Sequence, residues 1–570
     1  MMNEKDKNII LKIIGAAFLV FIIVLIAGKF GPGGGIDGQK SLDWAVQELD
    51  SIVQDIKVKI VDHPKGTVTI ATVDPIDVLP DISKYPLRVN SNTPSYIEIF
   101  SSPEKAGSGT DGWLAEVARD FNNAAIMIDG KRASVSLREI ASGDGTDYIT
   151  SGKYLPDAYT PSNELWGKLI ISKGVKAQLV QKRLAGNVAG ILITKAKKDE
   201  LTAKYGAVNI KTVIDAVIAN ELQMGYTNPL ASSTGLNFLI SALQTFDSSD
   251  PLSNKAIAGF ESFQANVPVV AYTTLQMREA AKSGALDGFI LEYQTYLNTP
   301  EIRSYEFIPF GIRHDSPVYA IGELSADKMK ILSKFIEFAQ QDKYQTLATK
   351  YGFNGLDDYQ PKAESVSGDV IIQAQNLWKE NKDTGKPICA VFVADVSGSM
   401  AGEPLNRLKR SLLMGQNNIG KNNLIGLISY SNDVNIDLPI SKFDLNQRSL
   451  FAGAVNDLQE GGSTSTFDAI AVAMKMLGDQ KAAGPDADPN LKPKIFVLSD
   501  GETNTGHSLD DIRQIVTTLG IPIYTIGYNA NIPALQEIAN INEAACINAD
   551  NDDVAYKLGK LFDAETSQEK

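Results

Sequence analysis

The sequence predicts an α/β architecture in more than one domain, and three observations carry that prediction. Short strand-like runs alternate with helical stretches twice along the chain. In the second alternation the runs Ile388–Ala394, Leu424–Ser429, Ile495–Leu498 and Ile523–Tyr528 are apolar throughout. The chain, at 570 residues with 44% hydrophobic and 21% charged positions, is long enough for several cores. Unbroken apolar strands signal burial on both faces, so the C-terminal region should be a doubly wound, mostly parallel sheet with ligand-binding loops at its carboxyl edge.

Taken in order, the elements divide the chain as follows. Lys5, Lys7 and Lys12 precede the apolar run Ile13–Gly28, which together with Ile9–Leu11 approaches the roughly 20 residues that span a bilayer. Residues 1–30 are therefore expected to be a cytoplasmic tip and a transmembrane helix, with everything beyond it outside the cytoplasm by the positive-inside rule. A cleaved signal peptide is the rival, but no small-x-small site stands out before Lys29. Residues 31–86 read as a linker or stalk: the flexible spacer Phe30–Gly38, an amphipathic stretch Leu42–Ile60 and Pro-punctuated pieces. The first alternation fills 87–360, from Tyr96–Phe100 and Leu114–Phe121 to Leu236–Leu243 and Val269–Tyr272. A polar linker over 361–385 leads to the doubly wound domain over 386–565.

A net charge of −14 and the absence of a Lys/Arg-rich block exclude nucleic acid as a partner. Cys389 and Cys546 supply neither a disulfide scaffold nor a zinc pair, although a bridge between them stays open. His63, His314 and His507 lack zinc-site spacing.

The chemistry concentrates at Asp395-Val396-Ser397-Gly398-Ser399, directly after the apolar run Ile388–Ala394. A carboxylate and two hydroxyls at a strand's exit, with Gly398 letting the backbone turn, invite a hard divalent cation. Thr464 in Gly461-Gly-Ser-Thr464, and Asp500 after the strand Ile495–Ser499, fall on loops of the same carboxyl edge. Together these residues are too few to saturate an octahedral Mg²⁺, which leaves a coordination position to a partner's carboxylate. In isolation each piece also reads as a helix cap or tight turn.

Asp395-x-Ser397-x-Ser399, Thr464 and Leu498-Ser-Asp-Gly-Glu502 resemble a von Willebrand factor A domain over roughly Lys386–Phe562. The resemblance implies a metal-ion-dependent adhesion site in which Asp395, Ser397, Ser399, Thr464 and Asp500 hold Mg²⁺, or alternatively Mn²⁺ or Ca²⁺, and capture a Glu or Asp of a protein partner. The preceding region is similar to type 2 periplasmic solute-binding proteins through Leu155–Ser162, Tyr226–Gly235 and Gly288–Tyr293. That similarity implies two α/β lobes around a small ligand, with Thr160, Ser162, Asn228, Ser233, Thr234 and Glu292 as candidate contacts; hydroxyl-rich helix starts are also ordinary caps.

A dinucleotide site is the rival in this region, because Gly107-Ser-Gly109-Thr-Asp-Gly112 fits the fingerprint and Asp129 follows it. Against it, the glycines begin several residues after the strand, and Asp129-Gly130 reads as a hairpin turn. Neither His-Glu-x-x-His nor Gly-x-Ser-x-Gly occurs, so nothing positive points to catalysis. The expected protein is a single-pass, extracytoplasmic binder. Its C-terminal domain grips a protein through a cation, and its central domain holds a small ligand or acts as a spacer. The alternatives are a solute receptor for a transporter with the C-terminal domain as docking module, and, less favoured, an enzyme acting in the central cleft.

Overall fold

Helix Leu42–Asp55 starts where Ser41 Oγ accepts the Trp44 N–H at 3.2 Å, and its Ala45, Val46, Leu49 and Ile52 line one buried face. It leads into β1 (Val58–Ile60). The computed structural model describes residues 41–68, 79–85, 87–267, 269–271, 277–278, 286–361, 365–381, 387–483, 491–501, 503–528, 535, 539 and 546–548. The expected anchor over 1–30 lies outside them, and no helix among the described residues is long and apolar enough to cross a membrane.

The chain forms two units: residues 81–384, and residues 1–80 joined with 385–570. In the central unit the strands are β2 (Leu87–Val89), β3 (Ser95–Ser101), β4 (Met127–Ile128), β5 (Lys131–Glu139), β6 (Ala158–Thr160), β7 (Ala177–Gln181), β8 (Val188–Thr194), β9 (Met224–Thr227), β10 (Val269–Ala271), β11 (Gly288–Glu292), β12 (Tyr305–Arg313) and β13 (Val318–Ile321). They build two sheets, ordered β2-β5-β3-β6-β13-β7 with β4 beside β5, and β10-β9-β11-β8-β12. The backbone passes between the sheets after β7 and again after β12, and the two crossings bond to each other: Leu184 N to Asp315 O and His314 N to Asn187 O, both at 3.0 Å. Two sheets joined by a paired crossing are the two lobes the sequence led us to expect. Asp129 (φ 49°) and Gly130 (φ 77°) turn the β4–β5 hairpin, and Gly107–Gly112 runs through short helical turns before helix Trp113–Asn123, so neither makes a strand-to-phosphate loop.

The other unit contains β14 (Ile388–Asp395), β15 (Leu424–Tyr430), β16 (Val434–Lys442), β17 (Lys492–Ser499), β18 (Ile523–Gly527) and β19 (Cys546–Asn548). With β1 they form a sheet ordered β1-β16-β15-β14-β17-β18-β19, parallel at every pairing except β15 with β16. One face packs Val391, Val393 and Ile428 against helices Thr466–Ala483 and Leu509–Leu519; the other packs Phe392, Ala394 and Phe496 against helices Glu403–Gly415 and Leu445–Asp457. The sheet is doubly wound, as the apolar runs predict.

Two expectations need correction. Residues 31–86 are not simply a stalk, because within them helix Leu42–Asp55 buries Ala45, Leu49 and Ile52 in the core beside Ile470, Met474 and Ile515. β1 pairs in parallel with the outer edge of β16, which would otherwise offer unpaired backbone groups. The segment that follows is tied down as well: His63 bonds Asp437 at 2.9 Å and Asp457 at 3.2 Å, and Gly453 is glycine because a Cβ there would meet Pro64 O at 1.8 Å. Likewise 361–385 is not all linker, since Gly368–Asn381 is a helix of the central unit with Ile371, Ala374 and Trp378 buried. In both cases a helix with one apolar face covers core that the strands leave open.

Cys389 is a free thiol, and burial pushes it up to about 12. β17 and β18 stand between it and Cys546, roughly three strand spacings of about 4.8 Å, which is too far for a disulfide.

Lys475 Nζ links the first helix to Thr466–Ala483 through Asp50 (3.1 Å) and Asp479 (2.8 Å). Leu49→Ala should lower the stability of this unit by about 2–4 kcal/mol in urea titrations, the cost of a core cavity and not of a stalk substitution. Burial raises the Asp479 carboxyl to about 6 against the opposing pull of Lys475. The stability linked to this group is complete below its unfolded value and lost as pH rises through about 6. Asp479→Asn should therefore stabilise the protein at pH 8 by on the order of 2 kcal/mol and have little effect at pH 4, as read from melting at both pH values.

Candidate functional site

β14 is the central strand, paired with β15 and β17 and buried at every position, so Asp395 at its end is carried into the interior. Its Oδ1 accepts Ser397 N at 2.8 Å and its Oδ2 accepts Ser499 Oγ, from the end of β17, at 2.6 Å. Asp395 makes no ion pair among the described residues. Ser397 Oγ and Ser399 Oγ share a hydrogen bond of 3.0 Å; Ser397 is buried and Ser399 exposed, so the cluster opens outward at Ser399.

Backbone bonds draw the other loops onto this turn. Gly398 N donates to Gly462 O at 3.0 Å and Gly461 N to Val396 O at 2.8 Å. Thr464 is then fixed to the loop after β17: its N donates to Asn504 Oδ1 at 2.9 Å, and its carbonyl accepts Asn504 N at 3.0 Å and Thr505 N at 3.2 Å. Ser463 N also bonds Asn432 Oδ1, which adds the turn after β15. The loops bearing Asp395, Thr464 and Asp500 are thus assembled at one carboxyl edge; Glu502 lies outside the described residues.

Burial raises the Asp395 carboxyl above its ordinary range, the bonds from Ser397 and Ser499 pull it down, and the Asp500 charge pushes it up. The same environment lifts Tyr430 well above the usual phenol value, by burial first and by the Asp395 charge second. Carboxylates and hydroxyls are hard oxygen donors, and no group of three His, Cys, Asp or Glu side chains that could hold a metal ion occurs among the described residues. Sequence reasoning missed Ser499, Asn504 and Asn432, which hold the donors in place. Ser499 stands beside Asp500 at a strand's end, a visible signal; the two asparagines look like ordinary turn residues.

All the central candidates but Thr160 are engaged inside the protein. Thr160 is buried at the end of β6 with its hydroxyl unbonded, and Ser162 Oγ donates to Glu104 at 2.8 Å. Asn228 Oδ1 accepts Leu230 N at 2.8 Å, closing a turn. Ser233 Oγ accepts from Trp166 Nε1 at 2.9 Å and donates to Ser142 at 3.0 Å. Thr234 Oγ1 donates to Glu292 at 3.3 Å, and Glu292 also bonds His314 at 2.7 Å and Asn187 at 2.8 Å. Ser233, Thr234 and Glu292 gather near the lobe crossing; Asn228 acts on its own loop.

A doubly wound unit with an oxygen-rich carboxyl edge and a two-lobed unit are two α/β classes carried by one chain. Residues 390–564 match the von Willebrand factor type A domain and residues 106–354 match a bacterial extracellular solute-binding protein, and the chain carries both domains. It is similar to inter-alpha-trypsin inhibitor heavy chain H3 of Bos taurus, 30% identical over 155 residues that cover 26% of this chain and 17% of that one. The chain therefore spans less than a fifth of such relatives' length. Among solved structures it is similar to a von Willebrand factor type A protein from Catenulispora acidiphila (17% identity, TM-score 0.28, 32% of this chain and 43% of that one). Another is the sulfate-binding protein SubI from Mycobacterium tuberculosis H37Rv (14% identity, TM-score 0.34, 50% of this chain and 91% of that one).

Ser499→Ala removes the donor to the buried Asp395 Oδ2. It should destabilise the protein in chelator by about 1–3 kcal/mol, measured by urea unfolding.

Proposed function

We propose that this chain is a membrane-anchored, extracytoplasmic binding protein whose C-terminal unit captures a protein partner's Glu or Asp through Mg²⁺ held by Asp395, Ser397, Ser399, Thr464 and Asp500. Both of its domain classes are binding classes, which supports a binding or adhesion role. The observation that carries the finer reading is the stitching of three loops at one edge, with Asp395 buried at the inner end and Ser399 exposed at the outer. Five side chains leave coordination positions that water or an incoming carboxylate completes. The cation is also what lets a chain of net charge −14 attract an acidic group at close range.

Titrating Mg²⁺ into the full chain by calorimetry should show saturable binding that weakens at least about ten-fold in Asp395→Ala. Equal binding by both proteins would sink the proposed cation site. Capture of an envelope protein on the immobilised chain should be lost with chelator and restored with Mg²⁺.

A further inference from the structure

We infer that the central unit is a self-closed body whose lobes are latched by the chain's own groups, so that it serves as a rigid insert and needs no solute to close. Three sets of contacts lead there, all within that unit and independent of the cation site.

The first is the crossing between the lobes, where His314 is fully buried. Asn163 Oδ1 accepts Leu165 N at 3.1 Å, so its amide NH₂ must donate, to Ser233 O and to His314 Nε2, both at 3.1 Å. Asn237 Oδ1 accepts Ile312 N at 3.0 Å, so its NH₂ also donates, to Ile312 O at 2.8 Å and His314 Nε2 at 3.1 Å. Two orientations fixed by the backbone make Nε2 an acceptor, and Nδ1–H then donates to Glu292 Oε1 at 2.7 Å. His314 therefore joins Asn163 of the first lobe to Asn237 and Glu292 of the second. Backbones also meet across the cleft: Gly143 N donates to Ala231 O at 2.9 Å, and a Cβ on Gly143 would lie 2.0 Å from Leu230 O. Gln294 Nε2 reaches Thr110 O at 3.0 Å, and Arg278 pairs with Asp111 at 3.1 Å.

The second is a charge pair at the carboxyl ends of β3 and β6, the edge through which Asp111 and Asn163 face the second lobe. Lys105 is completely buried, and its ammonium bonds Ser102 Oγ and Glu104, the latter at 3.2 Å. Ser102 and Ser162 donate their hydroxyls to the same Glu104 carboxylate. Lys105 and the hydroxyls of Ser102 and Ser162 are thus engaged by a carboxylate of the chain itself, while the buried Ser101 and Thr160 hydroxyls at the same strand ends make no hydrogen bond. An added anion would meet Glu104, and an added cation would meet Lys105.

The third is helix Gly368–Asn381, which straps both lobes. At its start Ser365 Oγ accepts Lys168 Nζ at 2.6 Å, and Gly368 lies against Lys168 O and Ser172 of helix Glu164–Ser172 in the first lobe. Further along, Gln375 Nε2 donates to Pro229 O at 2.8 Å and Trp378 Nε1 to Tyr226 OH at 2.6 Å, both in the second.

The test uses the full chain with spin labels on cysteines placed at the exposed Lys173 and Lys255, one per lobe, in a Cys546→Ser background; buried Cys389 does not compete. Without solute, pulsed-dipolar spectroscopy should give one narrow distance, unchanged by millimolar inorganic phosphate or sulfate. The double variant Gln375→Ala, Trp378→Ala should add a longer distance. Calorimetry should detect no phosphate or sulfate binding by the unmodified chain, and Glu104→Ala, which releases Ser102, Ser162 and Lys105, should gain affinity for one of them by about ten-fold or more. Several distances in the solute-free chain, a shift on adding either anion, saturable anion binding by the unmodified chain, or a strap variant that keeps its single distance would overturn the inference. Mg²⁺ binding by the same samples reports separately on the cation site.

Discussion

The Asp395 carboxylate, carried into the interior at the end of the central strand, is the constraint to which the C-terminal unit is fitted. A buried carboxylate is tolerated only when its oxygens are bonded, and here one takes the Ser397 N–H of its own turn and the other the Ser499 hydroxyl of the neighbouring parallel strand. That second bond needs β14 and β17 in parallel register, which in turn needs helices on both faces to bury the apolar side chains above and below them. The loops bearing Thr464 and Asp500 leave the same edge because parallel strands all end there, and backbone bonds from Gly398 to Gly462 and from Asn504 to Thr464 complete the assembly.

The same dependence explains why the unit is discontinuous in sequence. The family match begins at residue 390, yet the sheet has an extra edge strand and one face an extra helix from residues 42–60. Helix Leu42–Asp55 lies beside Thr466–Ala483 and Leu509–Leu519, and Lys475 binds it through Asp50. The two-lobed unit is therefore, in sequence, an insertion between two parts of one fold. Folding this unit closes a loop of about three hundred residues, and because loop-closure entropy grows only logarithmically with length, such an insertion is thermodynamically modest.

The central unit shows how polar groups of one type serve different ends. Ser162, Ser233, Thr234 and Glu292 have the chemistry of ligand contacts, but their partners are Glu104, Trp166, Ser142, Asn187 and His314. Asn163 and Asn237 orient His314 because their own orientations are dictated by backbone N–H groups, so the crossing is specified from the main chain outward.

By itself the sequence determined what is local or periodic. Near-continuous apolar runs dictated a doubly wound sheet, because only strands buried on both faces tolerate them. The spacing Asp395-x-Ser397-x-Ser399 at a strand's exit marked an oxygen cluster, because alternate positions on a turn converge. Asp129-Gly130 announced a hairpin through its left-handed backbone. Only the tertiary structure decided that Leu42–Ile60 belongs with strands more than three hundred residues away, that Gly368–Asn381 straps two lobes, that Ser499 and Asn504 hold the cluster, and that Glu104 occupies the donors of Ser102, Ser162 and Lys105. An amphipathic helix declares that one face will be buried but not against what. A hydroxyl or carboxamide declares that it will bond but not to whom. Those partners are set by which surfaces meet once the chain has closed, and that depends on contacts too distant in sequence to leave a local pattern.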